Sequence, residues 1–194
     1  MNKASFTASN CTFSACALSG VEARDGSSAS VTACEMTNCR RSGVLSCDEG
    51  SEITCRDCTI TNCHSSGASA EAYGSVVLDK CKVVRNQGNG LSALDGGIVT
   101  ASDCALSSNA GHGVFVRAAA ATLSNLHVDF NARHGLHAAE QSTINVDAVH
   151  FVNNSQQGVM MSPRTKAGAT EKEVVAKDVW WPSPNCGPKE LYVD

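Results

Sequence analysis

Eleven cysteines and six histidines are the residues of this 194-residue chain best suited to chemistry. Cys55-Arg56-Asp57-Cys58 has the spacing of a redox or zinc pair, but no second such pair completes a four-ligand zinc set. His112 and His134 stand 22 residues apart, and His127 and His150 stand 23 apart. Imidazoles brought to about 5 Å could hold a metal ion, but neither pair carries carboxylates of its own. Asp25, Asp48, Asp95 and Glu140 recur at near-multiples of the same interval and form an acidic edge fit for a cation or a sugar. A glycoside hydrolase needs two carboxylates facing one groove, and this edge is broken by Ala72 and Ala118. The histidine and acidic spacings all return to a number near 23 or its double.

That number is a repeat. Gly20, Gly43, Gly67, Gly90, Gly113, Gly135 and Gly158 follow one another at 23, 24, 23, 23, 22 and 23 residues. Four residues before each glycine stand Cys16, Cys39, Cys63, Asn86, Asn109, Asn131 and Asn154. Nine before it stand Cys11, Cys34, Cys58, Cys81, Cys104, Leu126 and Val149. Apolar residues alternate in three short runs per repeat, at positions -14/-12, -9/-7 and +1/+3 from the glycine. Period two means strand, with alternate side chains inward. Three strands per repeat and no helical stretch predict an all-β parallel β-helix of about seven regular coils over residues 1–161. Its hand follows from the right-handed bias of parallel crossovers.

Stacking then puts like on like, about 4.8 Å apart along the axis. The inward Asn column is expected to bond amide to amide as a ladder, at a turn whose left-handed backbone Asn tolerates. The Gly column is expected to supply positive φ at the next corner. Most cysteines fall in core columns, where thiols act as small hydrophobes. Closely stacked thiols are at risk of oxidation, so a reducing, intracellular and cytoplasmic setting is expected.

After Met161 the register slips. Residues 162–194 are expected to hold an irregular last coil and cap. Residues 162–170 read as a loop, and Glu173–Trp181 reads as a coil resembling Thr143–Phe151. Trp180, Trp181 and the Pro-rich residues 182–188 suit the closing of an open end. The first coil shows no such cap, so either a longer chain or association through its bare rung is expected.

The formal charge of -4 comes without a basic stripe, which argues against nucleic acid. No run is apolar enough to span a bilayer as a helix, and no signal peptide is visible.

The frame Asn-x-x-x-Gly-(Val/Leu), at Asn86–Leu91, Asn109–Val114, Asn131–Leu136 and Asn154–Val159, resembles the repeats of the pectin-lyase-like superfamily. Within it the chain is similar to the repeats shared by carbohydrate-binding proteins and sugar hydrolases. It is closest in character to intracellular β-helical F-box proteins and Shc-SH2-binding/Nessun dorma proteins. The resemblance covers roughly residues 5–161 and implies a recognition scaffold for a protein or a glycan. Its first three repeats depart by placing Cys where Asn is expected. No calcium-aspartate and arginine set of pectate lyases is matched, nor the aspartate set of polygalacturonases, so no catalytic residue is carried over.

The expected function is therefore a non-catalytic interaction module, without cofactor or metal, binding a protein partner or a glycan. The alternative is a carbohydrate-active enzyme or lectin using the Asp25, Asp48, Asp95 and Glu140 edge. The column two residues after each glycine offers Leu45, Phe115, His137 and Met160, expected outward and unusually apolar. An exposed apolar strip is a partner-site candidate.

Overall fold

The computed structural model describes residues 3–162 and, beyond them, the backbone of four strands at Lys166–Ala169, Val174–Ala176, Val179–Trp180 and Leu191–Tyr192. It is a parallel β-solenoid with no helix among the described residues, hence none long and apolar enough to cross a membrane. Each of the first five coils contributes three strands. In the second coil these are Ser28–Thr32, Glu35–Thr37 and Val44–Cys47. First and second strands stack into one fifteen-stranded sheet, and third strands into an eight-stranded sheet. The ladder is in register throughout, for example Val76 on Ile53 and Val99 on Val76. In the sixth and seventh coils the first two strands fuse into Ala120–Asp129 and Thr143–Val152.

The alternation read from the sequence is the burial pattern. From the second coil onward the columns at -14, -12, -9 and -7 are buried, as in Ile53, Cys55, Cys58 and Ile60 at 0–1% exposure. Among the described residues no rung lies over the first coil, and there Phe6 and Cys11 are exposed while Phe13 is half-buried. A cavity of about 490 Å³ opens at that end over Phe6, Phe13 and Val21.

The asparagine ladder forms as expected. Nδ2 of Asn86, Asn109 and Asn131 donates to Oδ1 of the next coil's Asn, each at 3.0 Å. The same nitrogens donate to the carbonyls of Ile60, Val83 and Leu106. Each Oδ1 also accepts the backbone N–H of the coil before, as Asn109 does from Asn86 at 3.0 Å. Buried amides are thus satisfied on every side.

Two mechanical expectations are corrected. The left-handed residue of this turn precedes the ladder: Ala15, Asn38, Asn62, Arg85, Ser108, Phe130 and Asn153 have φ of 53–58°. Each of the first six coils in fact turns three corners on left-handed residues, as at Asp103, Ser108 and Ala118. The anchoring glycines are not among the positive-φ residues; Gly26, Gly50 and Gly96 are. Their role is close approach. A Cβ on Gly113 would lie 2.2 Å from Val128 Cγ1 and 2.7 Å from the Gly135 oxygen, and one on Gly43 would lie 2.2 Å from Ile60 Cγ2. The glycine makes room for the inward side chain of the next coil.

Past Met161, residues 166–169, read as loop, pair as a strand with Thr143–Val146. Val175 and Ala176 pair with His150 and Phe151, so the eighth coil starts earlier than the expected alignment with Glu173–Trp181. Val179 and Trp180 pair with Val159 and Met160. The expected cap at residues 181–188 lies outside the described residues.

Candidate functional site

The third strands present the column two residues after each glycine. Consecutive members pair Cα to Cα: Leu45 with Ser69, Ser69 with Ser92, Ser92 with Phe115, Phe115 with His137, and His137 with Met160. Phe115, His137 and Met160 are half-buried on three successive coils. Leu45, expected outward, is 0% exposed, and Ser69 and Ser92 beside it are buried as well. The turn before the glycine folds back over this column. Ser66 Oγ lies 2.8 Å from Ser92 Oγ, and Asn89 Nδ2 donates to Ser92 Oγ at 3.1 Å. Ser66 and Asn89 close over Ser92, whereas Phe115, His137 and Met160 remain half-exposed.

At the open end the covering residues are imidazoles. His112 stacks on Phe115 at 5.4 Å between ring centroids and on His134 at 5.2 Å. His137 meets His112 edge-on at 4.9 Å and His134 at 5.4 Å. The stacking of His112 on His134 is the one the spacing predicts, and His137 joins them from the third strand. These rings have a structural task. Asn89 Oδ1 accepts the backbone N–H of His112 at 2.8 Å, His112 Nδ1 that of His134 at 3.3 Å, and His134 Nδ1 that of Gln157 at 3.1 Å. One side chain per coil thus receives the next coil's N–H, and imidazole substitutes for the asparagine amide.

His112 is 6% exposed. Burial, then the neighbouring His137 and His134, push its pKa down to about 3. Burial also lowers His134 and His137, with Arg133 acting the same way. At neutral pH the cluster is three neutral rings beside one guanidinium. Arg133 and the residues Ser155, Gln156 and Gln157, which with His134 border an open cavity of about 610 Å³, were not singled out from the sequence. Their signal was position: Arg133 shares the turn of His134, and Ser155, Gln156 and Gln157 make the same turn one coil on.

The remaining candidates do not converge. Asp25, Asp48, Asp95 and Glu140 occupy left-handed corners with φ of 50–77°, a position short polar side chains favour. Asp48 Oδ2 accepts the Asp25 backbone N–H at 3.5 Å, and Asp95 pairs with Arg117 at 3.2 Å. Asp48, Asp95 and Glu140 follow one another at two-coil intervals, about 10 Å. His127 and His150 pair in register with centroids 5.1 Å apart. Cys55 and Cys58 are both buried, so the motif at these positions is core. Among the described residues no group of three or more His, Cys, Asp or Glu is placed to hold a metal ion.

Over residues 1–155 the chain matches the family described as "Right handed beta helix region". No curated protein matches it in sequence. Among solved structures it is similar to the periplasmic alginate epimerase AlgG, at 15% identity and a TM-score of 0.57, covering 86% of this chain and 50% of that one. A single-substitution variant of that epimerase gives 13% identity and a TM-score of 0.56 over the same shares. The chain spans half the length of these structures, and at such identity the likeness is one of fold.

Proposed function

This chain belongs to the family of right-handed β-helix regions, and from that premise we propose that it is a non-catalytic recognition module that binds a partner protein through Phe115, His137 and Met160. The observation that carries the reading is the contrast within one column. Four coils present it closed or polar, and the next three present a half-buried Phe, His and Met in register. A rigid ladder holds these three about 4.8 Å apart with little conformational freedom left to lose on binding. Ten free thiols among the described residues support a reducing compartment.

A second reading draws on the fold shared with the alginate epimerase: action on, or retention of, a polysaccharide. Against catalysis stands the acidic edge, where Asp48 accepts the Asp25 backbone N–H and Asp95, two coils on, pairs with Arg117. The test combines affinity capture with a glycan array. Phe115→Ala with Met160→Ala should abolish capture of a specific protein while the thermal midpoint moves by no more than a few degrees. Undiminished capture by the double variant removes this face from the proposal, and polysaccharide cleavage or specific retention by the native chain replaces it with the second reading.

A further inference from the structure

The imidazole cluster has a direction. A neutral imidazole that accepts at Nδ1 carries its proton on Nε2. His112 and His134 both accept backbone N–H groups at Nδ1. His112 Nε2–H therefore donates to His137 Nδ1, 3.4 Å away, and this places the His137 proton on Nε2 as well. Among the described residues, the donors left over are Nε2–H of His134 and of His137. A metal ion is the wrong occupant, because a nitrogen must be free of its proton to ligate. The right occupant accepts hydrogen bonds. Arg133, an exposed neighbour whose charge acts on all three rings, makes it an anion.

We propose that the Nε2–H groups of His134 and His137, beside Arg133, bind a carboxylate of the partner protein, so that the segment docked on this row is an acidic side chain flanked by apolar ones. The inference rests on the recognition reading above and specifies its ligand. Phe115 and Met160 bracket His137 on the coils either side, which puts apolar contacts immediately next to the carboxylate position. A polyuronate is the less fitting anion. A chain with a charge on every sugar wants donors repeated along the axis, and toward the first coils this column continues as buried Ser92, Ser69 and Leu45. The site holds one carboxylate.

The experiment is imidazole nitrogen NMR of the whole chain, titrated at millimolar concentration with acetyl-Leu-Glu-Phe-amide, its Gln counterpart and an oligouronate. The Glu peptide should shift His134 and His137 and bind about tenfold more tightly than the Gln peptide, the order expected of one charge-assisted hydrogen bond. His134→Asn should remove most of that preference without unfolding the turn. Its side-chain oxygen can still accept the Gln157 N–H, as Asn89 does for His112 two coils earlier. Arg133→Gln should weaken the Glu peptide alone. Equal binding of the two peptides with contacts at Phe115 and Met160 overturns the carboxylate site and leaves the recognition reading standing. Shifts with the oligouronate and neither peptide overturn both. No shift at His134 or His137 with any probe overturns the carboxylate site.

Discussion

Replacing Asn109 by alanine cuts the centre of the asparagine ladder. The native side chain makes four hydrogen bonds: Nδ2 to Asn131 Oδ1 at 3.0 Å and to the Val83 oxygen at 3.1 Å, and Oδ1 from the Asn86 backbone N–H and from Asn86 Nδ2, each at 3.0 Å. The site is 1% exposed, so water does not replace them. The Asn86 N–H is left without its acceptor, at about 1–3 kcal/mol, and three further bonds are lost at roughly 0.5–1 kcal/mol each. Together these come to roughly 2.5–6 kcal/mol. Urea unfolding should report that loss, and the Asn86 amide should exchange with solvent at least about a hundredfold faster, since each 1.4 kcal/mol is tenfold. A loss below about 1 kcal/mol, or an Asn86 amide that stays protected, refutes the ladder as a determinant of stability.

Three further expectations come from the same geometry. Gly113→Ala should cost about 3 kcal/mol in thermal or urea unfolding. Val128→Ala should restore only part of it, because the Gly135 oxygen, 2.7 Å from the new Cβ, is backbone and has nowhere to move. Stability should fall as pH drops from about 6.5 toward 3: His112 in the unfolded chain takes up a proton that the folded ring, with its pKa at about 3, does not. His134 and His137, also lowered, act in the same direction, and His112→Gln should flatten the dependence measured by unfolding at stepped pH. Native maleimide labelling followed by mass mapping should find Cys11 modified first, with half-buried Cys16 and Cys47 slower. Cys39, whose thiol burial pushes up to about 12, should remain unmodified until unfolding.

Much of this fold was legible because a solenoid writes its geometry as a period. The step of Gly20 to Gly43 to Gly67 located the coils, the alternation around Ile53 and Cys55 located the inward faces, and the Asn86–Asn154 column gave the ladder. The stacking of His112 on His134 was legible for the same reason, since positions one coil apart must stack; His137 comes from the neighbouring third strand. What escaped the sequence depends on atoms rather than register. Leu45 shares a column with Phe115, but the pattern carries no sign of how a turn folds over it. The column glycines looked like left-handed corners, whereas the corners fall on Asn, Asp, Ala and other side chains and these glycines clear space for the next coil's Ile60 or Val128. Beyond Met161 the steps between paired residues become 23, 25 and 20, and without a constant period Lys166–Ala169 could not be told from a loop.

Recognition through the row of Phe115, His137 and Met160 is tested most directly by placing a photo-crosslinking side chain at Phe115, at Met160 and, on the first-strand face, at Thr100, and irradiating in the native cell. Cross-links to one and the same protein from Phe115 and Met160, with none from Thr100, are the predicted result. Capture from Thr100 instead, or adducts to polysaccharide from Phe115 and Met160, would contradict it.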